Sequence, residues 1–165
     1  MKSSFIAVIA LATVAALSAC SGTKNSSSSM SNLVATLQID EPIEGLCDPS
    51  NVIAILPIPG NGQVEAKAPL SEEEIAKQVN ASAPFLQANP NYKDKGMIGL
   101  IVNCKGKLVK CEMDNKTKSP ELDQQIVDVF SKLENWEAGS LAGKPIDTSV
   151  LYSFQIKNGT FSFEQ

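Results

Sequence analysis

Residues 97–113, MIGLIVNCKGKLVKCEM, constrain the fold more than any other stretch of the chain. Two apolar, β-branched runs flank Asn103-Cys104-Lys105-Gly106, where the glycine supplies the positive φ of a tight reversal, so the spacing predicts an antiparallel hairpin. A two-stranded hairpin alone is marginal in water. This one therefore needs further strands at its edges and helices on one face.

The flanking sequence supplies both. Ser71-Glu72-Glu73-Glu74 reads as a capping box, with Ser71 accepting from the third helical amide and Glu74 reaching back to the Ser71 amide. A helix follows, with Ile75, Val79, Phe85 and Leu86 facing inward and Pro84 kinking or ending its first half. The three glutamates are explained by the helix dipole, not by acid/base chemistry. Ser119-Pro120-Glu121 opens a second helix as N-cap, N1 proline and acidic first turn. Leu122, Ile126, Val127, Phe130 and Leu133 fall on one face of it, and Trp136 closes the core. Val150, Tyr152, Phe154 and Ile156 then alternate with Leu151, Ser153, Gln155 and Lys157, the pattern of a strand with one buried face.

Upstream, residues 33–39 suit a short strand. Residues 52–58 suit another, with Pro57 marking its end or an edge, and residues 59–62 turn the chain toward a third at 63–67. The whole predicts an α+β domain: a small antiparallel sheet with helices packed on one face, in the order helix, β-hairpin, helix, β-strand, with an N-terminal extension. Lys157-Asn158-Gly159-Thr160 carries a strong type I′ turn signal, which would set Ile156 opposite Phe161 and Phe154 opposite Phe163. The tail then either caps the strand edge or frays, with its phenylalanines resting on the core.

The N-terminus reads differently. Lys2 precedes an apolar run at 5–17, about a dozen residues against the roughly 20 that span a bilayer, so residues 1–19 are expected to be a signal peptide. Leu17-Ser18-Ala19-Cys20 resembles the bacterial lipobox, which implies diacylation of Cys20 through its sulfur and membrane attachment by acyl chains such as palmitate. Ser21 stands where lipoproteins retained in the inner membrane carry Asp, so the expected location is the outer membrane, facing the periplasm. Residues 20–32 then form the lipidated cysteine and a Ser-rich tether spanning about 20 Å r.m.s.. Residues 33–88 hold the N-terminal strands and helix, and residues 89–165 the remainder.

Composition excludes several function classes. The chain has 165 residues, 18 acidic against 14 basic and no histidine, with a net charge of −4. No basic surface is expected for nucleic acid. The commonest general base and zinc ligand are absent, and Ser-His and Cys-His nucleophiles with them. Asp114 to Lys118, DNKTK, fails as a calcium loop because Lys116 and Lys118 occupy ligand positions. Gly60-Asn61-Gly62 is a lone turn. The chain is read as non-enzymatic, without catalytic or metal-binding residues and without a cofactor beyond the covalent lipid on Cys20. With Cys20 assigned to lipid, Cys47, Cys104 and Cys111 remain in an oxidising compartment, and their odd number permits one disulfide in a monomer. Cys104 and Cys111 are poorly placed for each other, so a bridge favours Cys47; buried thiols acting as small apolar groups are the alternative.

From about residue 89 to 156 the chain resembles the TonB C-terminal domain. The resemblance runs through Pro90-Asn91-Tyr92, Lys95-Gly96-Met97-Ile98-Gly99, the turn Val102-Asn103-Cys104-Lys105-Gly106, Pro120-Glu121-Leu122-Asp123, Trp136, and Gly143-Lys144-Pro145-Ile146 before a strand ending in Phe154. It implies a transport-related protein-binding module that adds an extended segment of an envelope protein, such as a transporter peptide, to a sheet edge. The implied peptide-binding edge strand is Ser149, Val150, Leu151, Tyr152, Ser153, Phe154 and Gln155. The family couples to an inner-membrane motor through a transmembrane helix, and a protein hung on acyl chains is not expected to do so. The alternatives are a self-capped structural or assembly lipoprotein and a homodimer paired through the edge strand.

Overall fold

A computed structural model describes residues 33–56, 58, 60 and 62–164. The expected signal peptide, Cys20 and the tether lie outside the described residues, as do Pro57, Pro59 and Asn61. In chain order the elements are β1 (Ala35–Leu37), β2 (Val52–Ala54), β3 (Gln63–Val64), α1 (Glu72–Ser82), α2 (Pro84–Ala88), β4 (Asp94–Val102), β5 (Leu108–Asn115), α3 (Pro120–Phe130), β6 (Ser140–Leu141), β7 (Lys144–Pro145), β8 (Thr148–Lys157) and β9 (Thr160–Phe163). No helix among them is long and apolar enough to cross a membrane.

Local chemistry accounts for the helices. Ser71 caps α1 in both directions, its Oγ accepting from Glu74 N at 3.3 Å and its N–H donating to Glu74 Oε2 at 2.9 Å. Pro84 ends α1 and restarts the chain as α2, because Pro fits the first turn of a helix and not its interior. Ser119 caps α3 through Leu122 N at 3.2 Å, with Pro120 at the first helical position. The indole N–H of buried Trp136 donates to Leu133 O at 2.9 Å.

The main sheet runs β1-β2-β8-β4-β5, with β9 also paired to β8, and a smaller sheet runs β3-β6-β7. The expected wholly antiparallel sheet is corrected: β2 lies parallel to β8, with Ile53 beside Thr148 and Ala54 beside Ser149, so the sheet is mixed. A strand so remote in sequence is free to enter in either direction, because helices and a hairpin separate it from β8. The predicted strand at 52–58 shortens accordingly, β2 ending at Ala54.

β4 pairs with β8 along nine residues, from Asp94 beside Ile156 to Val102 beside Thr148. On one face Ile98, Leu100, Val102, Val150, Phe154 and Ile156 join Ile75, Val79, Leu122, Ile126 and Phe130 of the helices in a single core. The C-terminal hairpin has the register its turn dictates. Asn158 and Gly159 take φ of 52° and 67°, Ile156 faces Phe161, and Phe154 faces Phe163. Phe161, 1% exposed, stacks on Phe154 at 4.8 Å between centroids, so the tail is part of the core rather than a frayed end.

Two positions make this packing testable. The hydroxyl of Thr148, on a fully buried residue, has no hydrogen-bond partner among the described residues. Replacing it with the isosteric Thr148→Val removes a desolvated polar atom and is expected to raise stability by about 1 kcal/mol in urea unfolding. Gly96 lies beneath the Phe154 ring, where an added Cβ would sit 2.4 Å from Cζ. Gly96→Ala is expected to cost about 1–3 kcal/mol in the same assay, because the ring must leave its place in the core.

Candidate functional site

The strand expected to receive a peptide is β8, and its outer edge is occupied by the chain itself. β4 covers its other side from end to end. Along the outer side, Thr148 and Ser149 pair with β2, and Phe154 to Lys157 pair with β9. Glu164 N extends that cover by donating to Ser153 O at 3.0 Å. Strand pairing among the described residues therefore leaves Val150, Leu151 and Tyr152 uncovered, between two of the chain's own strands.

The side chains there divide by face. Val150 is buried in the core, whereas Leu151 is 54% exposed on the opposite face beside Gly99. Tyr152 packs against Phe130 and Phe163, with centroids at 5.8 and 5.3 Å. Burial, then the nearby charges of Glu65 and Glu72, push its phenol up to about 12. Tyr152 and residues 65–72 line an open cleft of about 650 Å³. Burial raises the Glu65 carboxyl there above its ordinary value. Of the predicted edge residues, Ser149, Phe154 and Gln155 are already paired, and Ser153 is held through its carbonyl.

The remaining edges are also managed. β9 directs the backbone N–H and C=O of Phe161 toward its outer edge while the ring stays in the core, and the Asn80 side chain of α1 meets those groups as a neighbouring strand would. Its Nδ2 donates to Phe161 O at 3.0 Å and its Oδ1 accepts from Phe161 N at 2.8 Å. β5 carries two irregularities in its pairing with β4 and an ion pair between Lys110 and Glu112 at 2.6 Å, devices that discourage edge-to-edge pairing. β1 has only three residues.

β2 is held by a knot at one end of the sheet. Asp147, 2% exposed, directs its carboxylate at the backbone of two remote loops. Oδ2 accepts from Cys47 N and Asp48 N, each at 2.8 Å, and Oδ1 accepts from Cys104 N at 2.8 Å. Its carbonyl accepts from Ile53 N at 2.9 Å, carrying the same anchorage into β2. Cys47 and Cys104 form a disulfide beside it. Asn103, 3% exposed, sets the β4–β5 turn through Lys105 N and Lys107 N, both at 2.9 Å, and donates to Gly45 O at 2.7 Å. The bridge thus involves Cys47, as favoured from the sequence, and pairs it with Cys104.

Cys111 is the remaining thiol among the described residues, half-buried on β5 with Sγ 3.8 Å from Val127 O. Burial, with Glu112 and Asp128 adding to it, pushes the thiol up to about 12, so it is a poor nucleophile at neutral pH. Sequence reasoning missed Asp147 and Asn80. The partners that give them their roles lie 43 to 100 residues away, and an acid before a strand or an amide within a helix has no local signature.

Comparison with protein-family models, with curated proteins and with solved structures finds no match to this chain. Two substitutions measure how firmly the edge is closed. Asp147→Ala strands three backbone donors and is expected to cost about 2–4 kcal/mol with the disulfide intact, read by urea unfolding. Asn80→Ala is expected to speed amide exchange at Phe161 and its neighbours while exchange in β4 stays unchanged.

Proposed function

We propose that this chain is a lipoprotein of the cell envelope, attached through Cys20, whose domain has a TonB C-terminal-like fold and serves as a self-capped structural or assembly module. One observation carries the reading: the outer edge of β8 is filled by β2 on one side and β9 on the other. A partner that adds as a strand finds only Val150, Leu151 and Tyr152, and pairing there offers few main-chain hydrogen bonds. The disulfide and the Asp147 contacts hold β2, and Phe161 holds β9, so neither cover is loosely attached.

The family resemblance at residues 89–156 supports the fold in this proposal, and the lipobox-like Leu17-Ser18-Ala19-Cys20 supports the attachment. A net charge of −4 and the lack of histidine favour a non-enzymatic role that involves no nucleic acid.

The test is an NMR titration of the chain from position 20, carrying Cys20→Ser, with pooled extended peptides from outer-membrane transporters. No shifts are expected along Ser149 to Gln155. Saturable shifts confined to Val150–Tyr152 would replace this reading with strand addition at the uncovered stretch. Attachment is checked separately: Cys20→Ala is expected to move the full chain out of the membrane fraction and to abolish incorporation of labelled palmitate.

A further inference from the structure

We propose that the dithiol form of this protein binds one thiophilic divalent cation, with zinc(II) as the type, through Cys47 Sγ, Cys104 Sγ and the Asp147 carboxylate. In the disulfide form these three donor groups already lie within 4.8 Å of one another. They converge for reasons that do not depend on the S–S bond. Asp147 holds the backbone N–H of both cysteines, each at 2.8 Å. The Asn103 side chain ties the same two loops together again through Gly45 O at 2.7 Å. Breaking the bridge therefore leaves both Cα atoms near their present separation of 6.1 Å.

That separation suits a shared metal. Two thiolates at about 2.3 Å from a tetrahedral zinc stand roughly 3.8 Å apart, a spacing the two side chains reach by rotating about their Cα–Cβ bonds. Asp147 is 2% exposed and fixed by its hydrogen bonds, so its position is set before the cation arrives. Cys47 is exposed, which gives the ion a way in and leaves the fourth position to water. A hard cation such as calcium is excluded by the sulfur donors and the small donor count.

The chemistry has two balanced steps. A dithiol reductant transfers two electrons and two protons to the Cys47–Cys104 bond, giving two thiols and the disulfide of the reductant. Zinc then binds as both S–H protons pass to solvent, with two Zn–S bonds and one Zn–O bond formed. The oxidised and metallated states exclude each other, since the disulfide leaves no thiolate to coordinate. Either state fastens the N-terminal segment to the β4–β5 turn.

The experiment uses the full chain in detergent, carrying Cys20→Ala and Cys111→Ala so that Cys47 and Cys104 are the only thiols. After anaerobic reduction with a phosphine, cobalt(II) is titrated in as a spectroscopic probe and then displaced by zinc(II). Expected are thiolate-to-cobalt charge-transfer absorption saturating at one ion per chain and its absence from the unreduced chain. Cys47→Ser is expected to abolish that absorption. Asp147→Asn is expected to weaken binding at least about tenfold, the loss usual even for an outer-shell partner. X-ray absorption of the zinc form of the chain with Asp147 intact is expected to give two sulfur neighbours with oxygen completing the shell. A reduced chain without charge-transfer absorption would overturn the proposal, as would unchanged affinity in a folded Asp147→Asn chain or a shell without two sulfurs.

Discussion

One buried carboxylate organises an end of this molecule where three otherwise unrelated stretches of chain meet. Asp147 immediately precedes β8, and its two oxygens take backbone N–H groups from the loop around Cys47 and from the β4–β5 turn. Peptide N–H groups drawn partly out of water at a loop junction need partners, and three of them converge on one buried acceptor group. That arrangement lets an irregular N-terminal segment sit against a regular sheet without orphaned donors. The disulfide closes a 57-residue separation at the same junction, which in the chain-entropy view contributes about 4 kcal/mol by restricting the unfolded chain. Covalent and polar terms therefore act on the same two loops, and β2 is positioned as a consequence.

Held in that way, β2 solves a problem the hairpin creates. A sheet built on β4, β5 and β8 presents open edges, and each is blunted by a different means: a short parallel strand, a C-terminal hairpin, an asparagine that imitates a strand, and a charged, irregular outer strand. These devices differ in energetic character. Phe161 contributes mainly through apolar burial, about 2–3 kcal/mol for a fully buried aromatic. Asn80 contributes two hydrogen bonds at a half-buried site, and Lys110–Glu112 contributes little to stability but makes the edge unattractive to a neighbour.

What the sequence revealed follows the range of the physics. The capping box at Ser71, the proline at Pro120 and the turn at Asn158-Gly159 are local devices, settled within about four residues, and all were legible. The pairing of Ile156 with Phe161 was legible too, because a two-residue turn dictates its register. The parallel entry of β2 was not, since its partner lies across most of the domain and three residues carry little periodicity. For the same reason the alternation in β8 correctly identified its buried face but said nothing about which strands flank it. An outward pattern of Leu151, Ser153 and Gln155 is compatible with a free edge and with a covered one alike. Asp147 and Asn80, the residues that decide between the two, act only through contacts made after the chain has folded.

The Cys47–Cys104 bond also has a mechanical meaning. A pull applied at the N-terminal end of the domain enters at Leu33 and reaches β1, whose three-residue pairing with β2 offers slight resistance. Extension is then arrested at Cys47, because the covalent bond passes the load directly to the β4–β5 turn. Tension is diverted from β2 toward β4 and its nine-residue antiparallel pairing with β8. Chain before Cys47 can pay out as slack, while the bond holds Cys47 against the β4–β5 turn.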